Sequence, residues 1–437
     1  MNTRKKALTW LIGCCMSMPA LADSFGPGEW TQYRMNAANN AVYDNGGAAL
    51  NRMKFRTGDQ VRATPVIVGD ALYIGNHATG GMFRFELPGG KVAWHDDNPW
   101  FRHAPNWIHS EMIQANGRIF VGYGNRAFQS PDIRGTGASG VMAVDPEDGA
   151  TLWQYPTVGE VMPTPALWKD VLYVVTGGAE LIALAPESGK RLWSLPLPGW
   201  VSMSSPAVTD GVLYVGALNA VVGIDLEQRE ILWRFNEPAS FTDVPPAVSD
   251  NVVVITGMME RSSLSEEDRQ RYPSRRGSFH FIYAFDAATG KLLWRDLLGS
   301  GPRQPNNTSG APTIADGRVY VGSPYARGMF AYNLKTGERL WEHSTTAGIK
   351  GAPAITAGKV FFGDTAGMLH ALDAEDGDTP KCKTGQAIDT LKLGGSSNNA
   401  SATALAPAGP VVINKTVFVG SQDGFVYAVP VSEFDCR

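Results

Sequence analysis

The stretch "SSPAVTDGVLYVG" (204–216), followed by "DLEQREILW" (225–233), decides the fold, because this two-part pattern recurs along the chain. Its first part is a small residue, Pro, an apolar strand, a two-residue turn, a second apolar strand and Gly. Parallels are "ATPVIVGDALYIG" (63–75), "PTPALWKDVLYVV" (163–175), "VPPAVSDNVVVIT" (244–256), "GAPTIADGRVYVG" (310–322) and "GAPAITAGKVFFG" (351–363). Degenerate copies are "SEMIQANGRIFVG" (110–122) and "PVVINKTVFVG" (410–420). The second part is an Asp-x-x-x-Gly-x-x-x-Trp tag, clearest in "DPEDGATLW" (145–153) and "DAATGKLLW" (286–294). "ELPGGKVAW" (86–94), "APESGKRLW" (185–193) and "NLKTGERLW" (333–341) are looser, and "DAEDGDTPK" (373–381) keeps the turn but loses Trp.

Each unit reads as four strands, A to D. A follows the Pro, B and C are nearly continuous apolar runs, and D carries the Trp. Apolar runs of that kind suit strands covered on both faces. One such sheet cannot bury itself, whereas stacking copies around an axis does. Trp tags at 153, 193 and 233 lie 40 residues apart, close to the roughly 40–45 residues of a four-stranded blade. The expectation is an all-β, eight-bladed β-propeller of four-stranded antiparallel blades, forming a single domain over 23–437. The eighth unit ends at "PVSEFDCR" without a Trp strand, so "NRMKFRTGD" (51–59) is expected to complete it and close the ring.

The N-terminus carries Arg4, Lys5 and Lys6, an apolar run, and Ala20-Leu21-Ala22, which together make a secretory signal peptide over 1–22. A lipobox-like Leu11-Ile12-Gly13-Cys14 is the rival, but only Ala7–Trp10 would separate it from Lys6. The mature protein is therefore expected to be periplasmic, with no segment near the roughly 18 apolar residues that a span needs. Removing 1–22 takes away three positive charges and no negative ones, so 35 basic side chains face 42 acidic ones, a net of −7. Such a chain has no electrostatic footprint for nucleic acid. Cys382 and Cys436 remain as an even pair in an oxidising compartment, and a disulfide is expected. It would constrain the tail by about 4 kcal/mol on the chain-entropy model.

A–B and C–D turns share one end of a blade, and B–C and D–A loops share the other. The A–B turns are uniformly two residues, as in Asn116-Gly117 and Asp210-Gly211. The insertions at 95–109, 123–139, 236–243, 257–278, 299–309 and 382–403 are all assigned to the other end. One face is bare and one is decorated with loops, which marks the decorated face as the working face. In "HDDNPWFRHAPNWIHSEM" (95–112), His95, His103, His109 and Glu111 could ligate zinc only if the loop folds back on itself. The spacing favours a polar-aromatic loop, with Trp100 and Trp107 against neighbouring blades, and no metal is expected. "SSLSEEDRQRYPSRR" (262–276) carries a capping-box signal at Ser263 and Glu266 for a short helix. Its arginines are anion or partner contacts, or else a solvated face. Arg303, Asn306, Asn307, Tyr325, Arg327 and Lys350 fall on neighbouring decorated loops, a default binding-site pattern.

These tags resemble the quinoprotein-type propeller repeat shared by pyrroloquinoline quinone (PQQ) alcohol dehydrogenases and the BamB subunit of the outer-membrane assembly machine. The dehydrogenase resemblance implies PQQ in the channel, a cation held by carboxylate and Asn ligands, and an Asp base. Here "QSPDIRG" (129–135), which contains Arg134, has Ser130 where the Glu ligand would stand, with Asp132 shifted. "TGMMER" (256–261) has Met258 in place of Asn. There is no adjacent cysteine pair in the mature chain and no Cys-x-x-Cys-His. The BamB resemblance implies partner-binding loops at "GWVSMSSP" (199–206) and "FTDVPP" (241–246). Val201, beside Trp200, replaces an Arg, and only Asp243 of two acids is kept. The expected function is binding or scaffolding of a protein partner or small ligand through the decorated face and channel. The alternative is a PQQ-dependent dehydrogenase or an accessory subunit of one.

Overall fold

The computed structural model describes residues 24–436 apart from 78, 97–107, 126, 136–137, 304–309, 381–387, 395–403, 406 and 408. The predicted signal peptide, His103, Trp107, Asn306, Asn307 and Cys382 lie outside the described residues. Within them the repeat units become antiparallel sheets in the order A-B-C-D. The first unit is Val66–Val68, Ala71–Gly75, Met82–Glu86 and Val92–Asp96. The second, third, sixth and seventh units are also separate four-stranded sheets. The fourth and fifth units share one seven-stranded sheet, joined where Ser240 pairs with Met258. B and C strands are buried throughout, as in Ala71–Gly75 and Gly140–Val144, while D strands such as Thr151–Pro156 face solvent. From the third unit to the eighth, successive A strands pack side by side. That is the radial arrangement of a β-propeller. Among the described residues no helix is long and apolar enough to cross a membrane.

The A–B turns have the chemistry that their sequence demands. Both central residues take positive φ at Asn116-Gly117, Lys169-Asp170, Asp210-Gly211, Asp250-Asn251, Asp316-Gly317, Ala357-Gly358 and Asn414-Lys415. This is the mirror-image turn that matches strand twist.

The tags explain how units hold one another. Five of the six tag indoles, all but Trp193, donate their N–H to a backbone carbonyl in the tag of the next unit. Trp94 bonds Pro146 O at 2.9 Å, Trp153 bonds Pro186 O at 2.8 Å and Trp233 bonds Ala287 O at 2.8 Å. Trp294 and Trp341 repeat this at Leu334 O and Ala374 O. The tag glycine then lies on the indole face. A Cβ on Gly189 would stand 2.5 Å from Trp153, and one on Gly290 would stand 2.5 Å from Trp233. The fourth unit's tag lacks this glycine. Arg229 takes the left-handed conformation instead (φ 60°), with its guanidinium 5.8 Å from the Trp193 ring centre. Met53 meets Gly90 of the first tag, standing where a Trp stands elsewhere. Its strand, Met53–Arg56, pairs antiparallel with the eighth unit's C strand, Phe425–Pro430.

The largest departure from expectation is the segment 24–45, which the repeat pattern does not reach. It winds past the inner strand of every unit in chain order. Gly26 N donates to Gly69 O, and Trp30 exchanges two bonds with Gln114. Thr31 O accepts from Leu167 N, and the Gln32 amide pairs with Val208. Ala37 O, Ala38 O and Ala41 O accept from Val248, Ile314 and Val412, and the Asn40 amide pairs with Ile355. Two strap side chains reach the repeated prolines. Asn39 donates to Pro246 O and Pro312 O at 3.1 Å each, and the fully buried Arg34 donates to Pro353 O and Pro410 O at 2.9 Å each.

Three further corrections apply. The short helix Glu266–Arg271 is capped by Ser265, whose hydroxyl accepts from Asp268 N, two residues later than the Ser263 box expected. His95 and Asp96 belong to the first unit's D strand, so that loop starts later than 95. The seventh unit's D strand is Thr390–Lys392, paired with Met368–His370. The stretch 382–403 is therefore not one D–A loop, because this D strand falls inside it.

The doubled demand on the tag glycine can be measured. Gly317 has the same left-handed φ (71°) but nothing within 4 Å of its would-be Cβ. Gly317→Ala should cost about 1 kcal/mol from backbone strain alone. Gly189→Ala should cost at least about 2 kcal/mol, because the Trp153 ring must also move. Equal losses in chemical denaturation would show that the ring contact carries no weight.

Candidate functional site

The residues just ahead of each A-strand proline come together at the axis, on the decorated face. Arg62, Thr64, His109, Glu111, Thr164, Ser205, Asp243 and Lys350 line one channel mouth, with Tyr33 of the strap beneath them. Of the expected site residues, His109, Glu111, Asp243 and Lys350 meet here. Arg62, and His77 beside it in the first unit, were not singled out by sequence. His77 contacts His109 ring to ring through Nδ1 and Nε2. The mouth is tight, with about 30 Å3 open, room for about two waters.

Glu111 is the keystone of this mouth. Its carboxylate accepts the backbone N–H of Arg34 at 2.8 Å, and its own N–H donates to the Thr164 hydroxyl at 3.0 Å. Burial raises its pKa to about 7, against the lowering pull of the Arg34 N–H and charge. Burial and the nearby Arg62 charge lower Lys350 to about 8. An acid and a base that both titrate near neutrality thus share one polar pocket, an arrangement able to hold or release protons.

A second cluster stands on the rim. The hairpin Phe128–Ser130 and Ile133–Arg134 folds over the third unit, where Arg134 N donates to Gly177 O and Arg134 O accepts from Glu160 N. Gly159 and Gly177 allow this approach; a Cβ on Gly177 would stand 2.2 Å from Arg134 O. The Arg134 Nε lies 2.8 Å from the buried Glu160 carboxylate. Burial still pushes Glu160 up to about 8. Above the pair, the Arg134 guanidinium lies 5.4 Å from the Trp200 ring, and Phe128 meets Trp200 edge-on at 5.5 Å. Phe128 is 53% exposed and neighbouring Val158 56%.

The remaining expected residues go elsewhere. Tyr325 donates to the Met258 sulfur at 2.7 Å and lines a separate outer cleft. Arg303 and Arg327 are exposed and line neither the mouth nor that cleft. His95 stacks on Phe83 at 4.2 Å. No group of three metal-ligating side chains is gathered among the described residues. Among the described residues the mouth is narrow, and Met258, which stands where the resemblance implies an Asn ligand, accepts from the Tyr325 hydroxyl.

The raised Glu111 pKa has a sign. Below about pH 4.5 both folded and unfolded chains hold the proton; from there to about 7 the unfolded chain releases it first, so stability falls. Glu111→Gln keeps an acceptor for the Arg34 N–H. It should flatten that decline and exceed the parent by up to about 3 kcal/mol above pH 7. Parallel pH profiles of unfolding free energy in the two proteins would refute the assignment.

Comparison with known proteins agrees with this architecture. Tetrathionate hydrolase of Acidithiobacillus ferrooxidans is 29% identical over 150 residues, 34% of this chain and 28% of that protein. BamB of Moranella endobia is 30% identical over 156 residues, 35% and 37% of the two chains. Quinohemoprotein alcohol dehydrogenase ADH-IIG of Pseudomonas putida is 32% identical over 118 residues, 23% and 16% of the two. The chain thus matches well under half the length of each of these relatives. Among solved structures, BamB from Moraxella catarrhalis superposes with a TM-score of 0.58 at 18% identity, covering 87% of this chain and 96% of that one. Quinohemoprotein alcohol dehydrogenase from Comamonas testosteroni gives 0.64 at 14% identity, covering 94% and 81%. The family model described as outer membrane protein assembly factor BamB matches residues 137–381 and 278–434. The chain belongs to that family, a family of PQQ-like β-propeller repeats.

Proposed function

We propose that this protein is an exported, periplasmic scaffold that docks a partner protein on its decorated face, centred on Phe128, Arg134 and Trp200. The observation that carries this reading is the rim cluster: two aromatic rings clasping a guanidinium beside an exposed Val158. Aromatic residues and Arg are the usual anchors of protein interfaces. The likeness to BamB, an outer membrane assembly factor, supports a partner in the cell envelope. His103, Trp107, Arg303, Asn306 and Arg327 are assigned to the same contact face.

The scaffold itself is an eight-bladed ring over 23–437, closed where Met53–Arg56 serves as the eighth unit's D strand. The Met53 contact with Gly90 supports closure, since it repeats the Trp-to-glycine contact of the other units. Cys382 and Cys436 form a disulfide that ties the tail to the seventh unit. Titration of denatured, unreduced protein should find no free thiol; two per chain would remove the disulfide from this account.

The alternative, a PQQ-dependent dehydrogenase or an accessory subunit of one, is favoured by the dehydrogenase relatives and by Glu111 and Lys350 sharing one pocket. One pair of measurements separates the two readings. A photo-crosslinker at Phe128 should capture a single envelope protein in cells, whereas one at Gly317, in an A–B turn on the opposite face, should capture none. Protein mixed with PQQ and Ca2+, then desalted, should show no quinone absorbance. Stoichiometric quinone with dye-reducing activity would replace the scaffold reading with the enzymatic one.

A further inference from the structure

The 257–278 insertion does more than decorate the fifth unit. It extends that sheet, with Val252–Glu260 pairing with Ser278–Asp286 out to Glu260 and Ser278. The tip is a 3-10 turn, the short helix Glu266–Arg271, and a basic stretch. It is fastened down firmly. Leu264 is buried, Tyr272 packs against Phe279 and Phe281, and buried Asp268 is bridged by Arg295, which also holds Glu237 at 2.8 Å.

The five arginines of this tip divide into two sets. Arg261 donates to the carbonyls of Tyr272 and Arg275, Arg269 to Leu264 O and Glu266, and Arg276 to Pro273 O and Arg275 O. Those three bond the tip's own backbone. Arg271 and Arg275 instead line a cleft of about 480 Å3 between this insertion and the sixth unit. Its other walls are Tyr272, Leu297, Leu298 and Tyr325, with Asp296 and Glu342 as its acids. Both acids are already engaged. Asp296 takes Arg339 at 2.6 Å and the Tyr332 hydroxyl at 2.9 Å, and Glu342 takes Arg339 at 2.8 Å. Arg339 also lines the cleft and offsets one of the two acids, so these groups leave a net charge of +1, with Arg271 and Arg275 outside the Arg339 bridge.

We propose that this cleft binds a small molecule bearing an oxyanion head, held by Arg271 and Arg275, with its body along Tyr272, Leu297 and Leu298. Guanidinium groups suit phosphate and carboxylate heads because their N–H forks meet two oxygens at once. The volume is that of a small-ligand pocket. The backbone under Arg275 is held by Arg261 and Arg276, so binding has little loop ordering to offset. The site lies outside the rim cluster and the channel mouth, and it stands whether or not the docking reading does.

Calorimetric titration of the full-length protein at low ionic strength tests it, with pyrophosphate and citrate as the two probes. At least one should bind saturably, at one site per chain; tighter pyrophosphate assigns a phosphate head and tighter citrate a carboxylate head. Arg271→Gln and Arg275→Gln should each weaken binding about tenfold with an unchanged thermal midpoint. Arg269→Gln, which removes an equal charge from the same tip but from a guanidinium turned to Leu264 O and Glu266, should stay within about twofold. No saturable heat from either probe would overturn the proposal. An equal loss in Arg269→Gln would do so too, by reducing the effect to diffuse surface charge.

Discussion

The structure depends on one repeated contact, the tryptophan of one unit against the tag of the next. An indole that bonds a neighbour's carbonyl is buried over its flat face and satisfied at its only polar atom. The neighbour must therefore present a carbonyl and a flat, side-chain-free surface at the same place. A glycine in the left-handed conformation supplies the bare surface and the residue three positions before it supplies the carbonyl, and so the spacing between Asp, Gly and Trp is kept from unit to unit. Where the glycine is missing, Arg229 accepts the strain of a positive φ and covers Trp193 with its guanidinium. Each sheet is thereby made incomplete without the one beside it, which is why the units stack instead of standing as independent hairpins.

What the sequence revealed and what it hid follow from the range of the interactions. Strands, two-residue turns and tags involve residues within a few positions of one another, so they repeat visibly. The strap does not repeat. Its bonds are single backbone groups or side-chain amides, each reaching a different unit, and nothing in "GPGEWTQYRMNAANNAVYD" (26–44) shows a period. The Ser263 box was read two residues early because Ser265 also has an acidic residue three positions on, and Asp268 is the one with Arg295 to pair with. The seventh unit misled for another reason: its tag lacks Trp, so the D strand could not be located.

The site was half legible by the same logic. Glu111, Asp243 and Lys350 were named as loop residues, yet what unites them is their place one to three residues ahead of the inner strand's opening. Thr64, Thr164 and Ser205 hold the equivalent place in other units, directly before Pro65, Pro165 and Pro206. Superposing the repeats brings these residues into two columns, one and three positions ahead of the proline, with Arg62 in the second beside Asp243 and Lys350. Arg134 and Trp200 could not be joined this way. They belong to different units, and Gly159 and Gly177 alone let the hairpin cross to reach the third unit.

The strap also bears on how the chain folds. Its bonds span very long stretches of sequence: Gln32 to Val208 is 176 residues, Arg34 to Pro353 is 319 and Arg34 to Pro410 is 376. Closing loops of that length is entropically late, and high contact order slows folding. The strap residues, made before any of the repeat units, are thus the last to find their partners, because those partners exist only once the inner strands stand around a common axis. Until then the buried guanidinium of Arg34 and the proline carbonyls it will bond remain open to water. The strap behaves as a drawstring, pulled tight only after the last unit has arrived, and assembly of the propeller is committed at its two chain ends together.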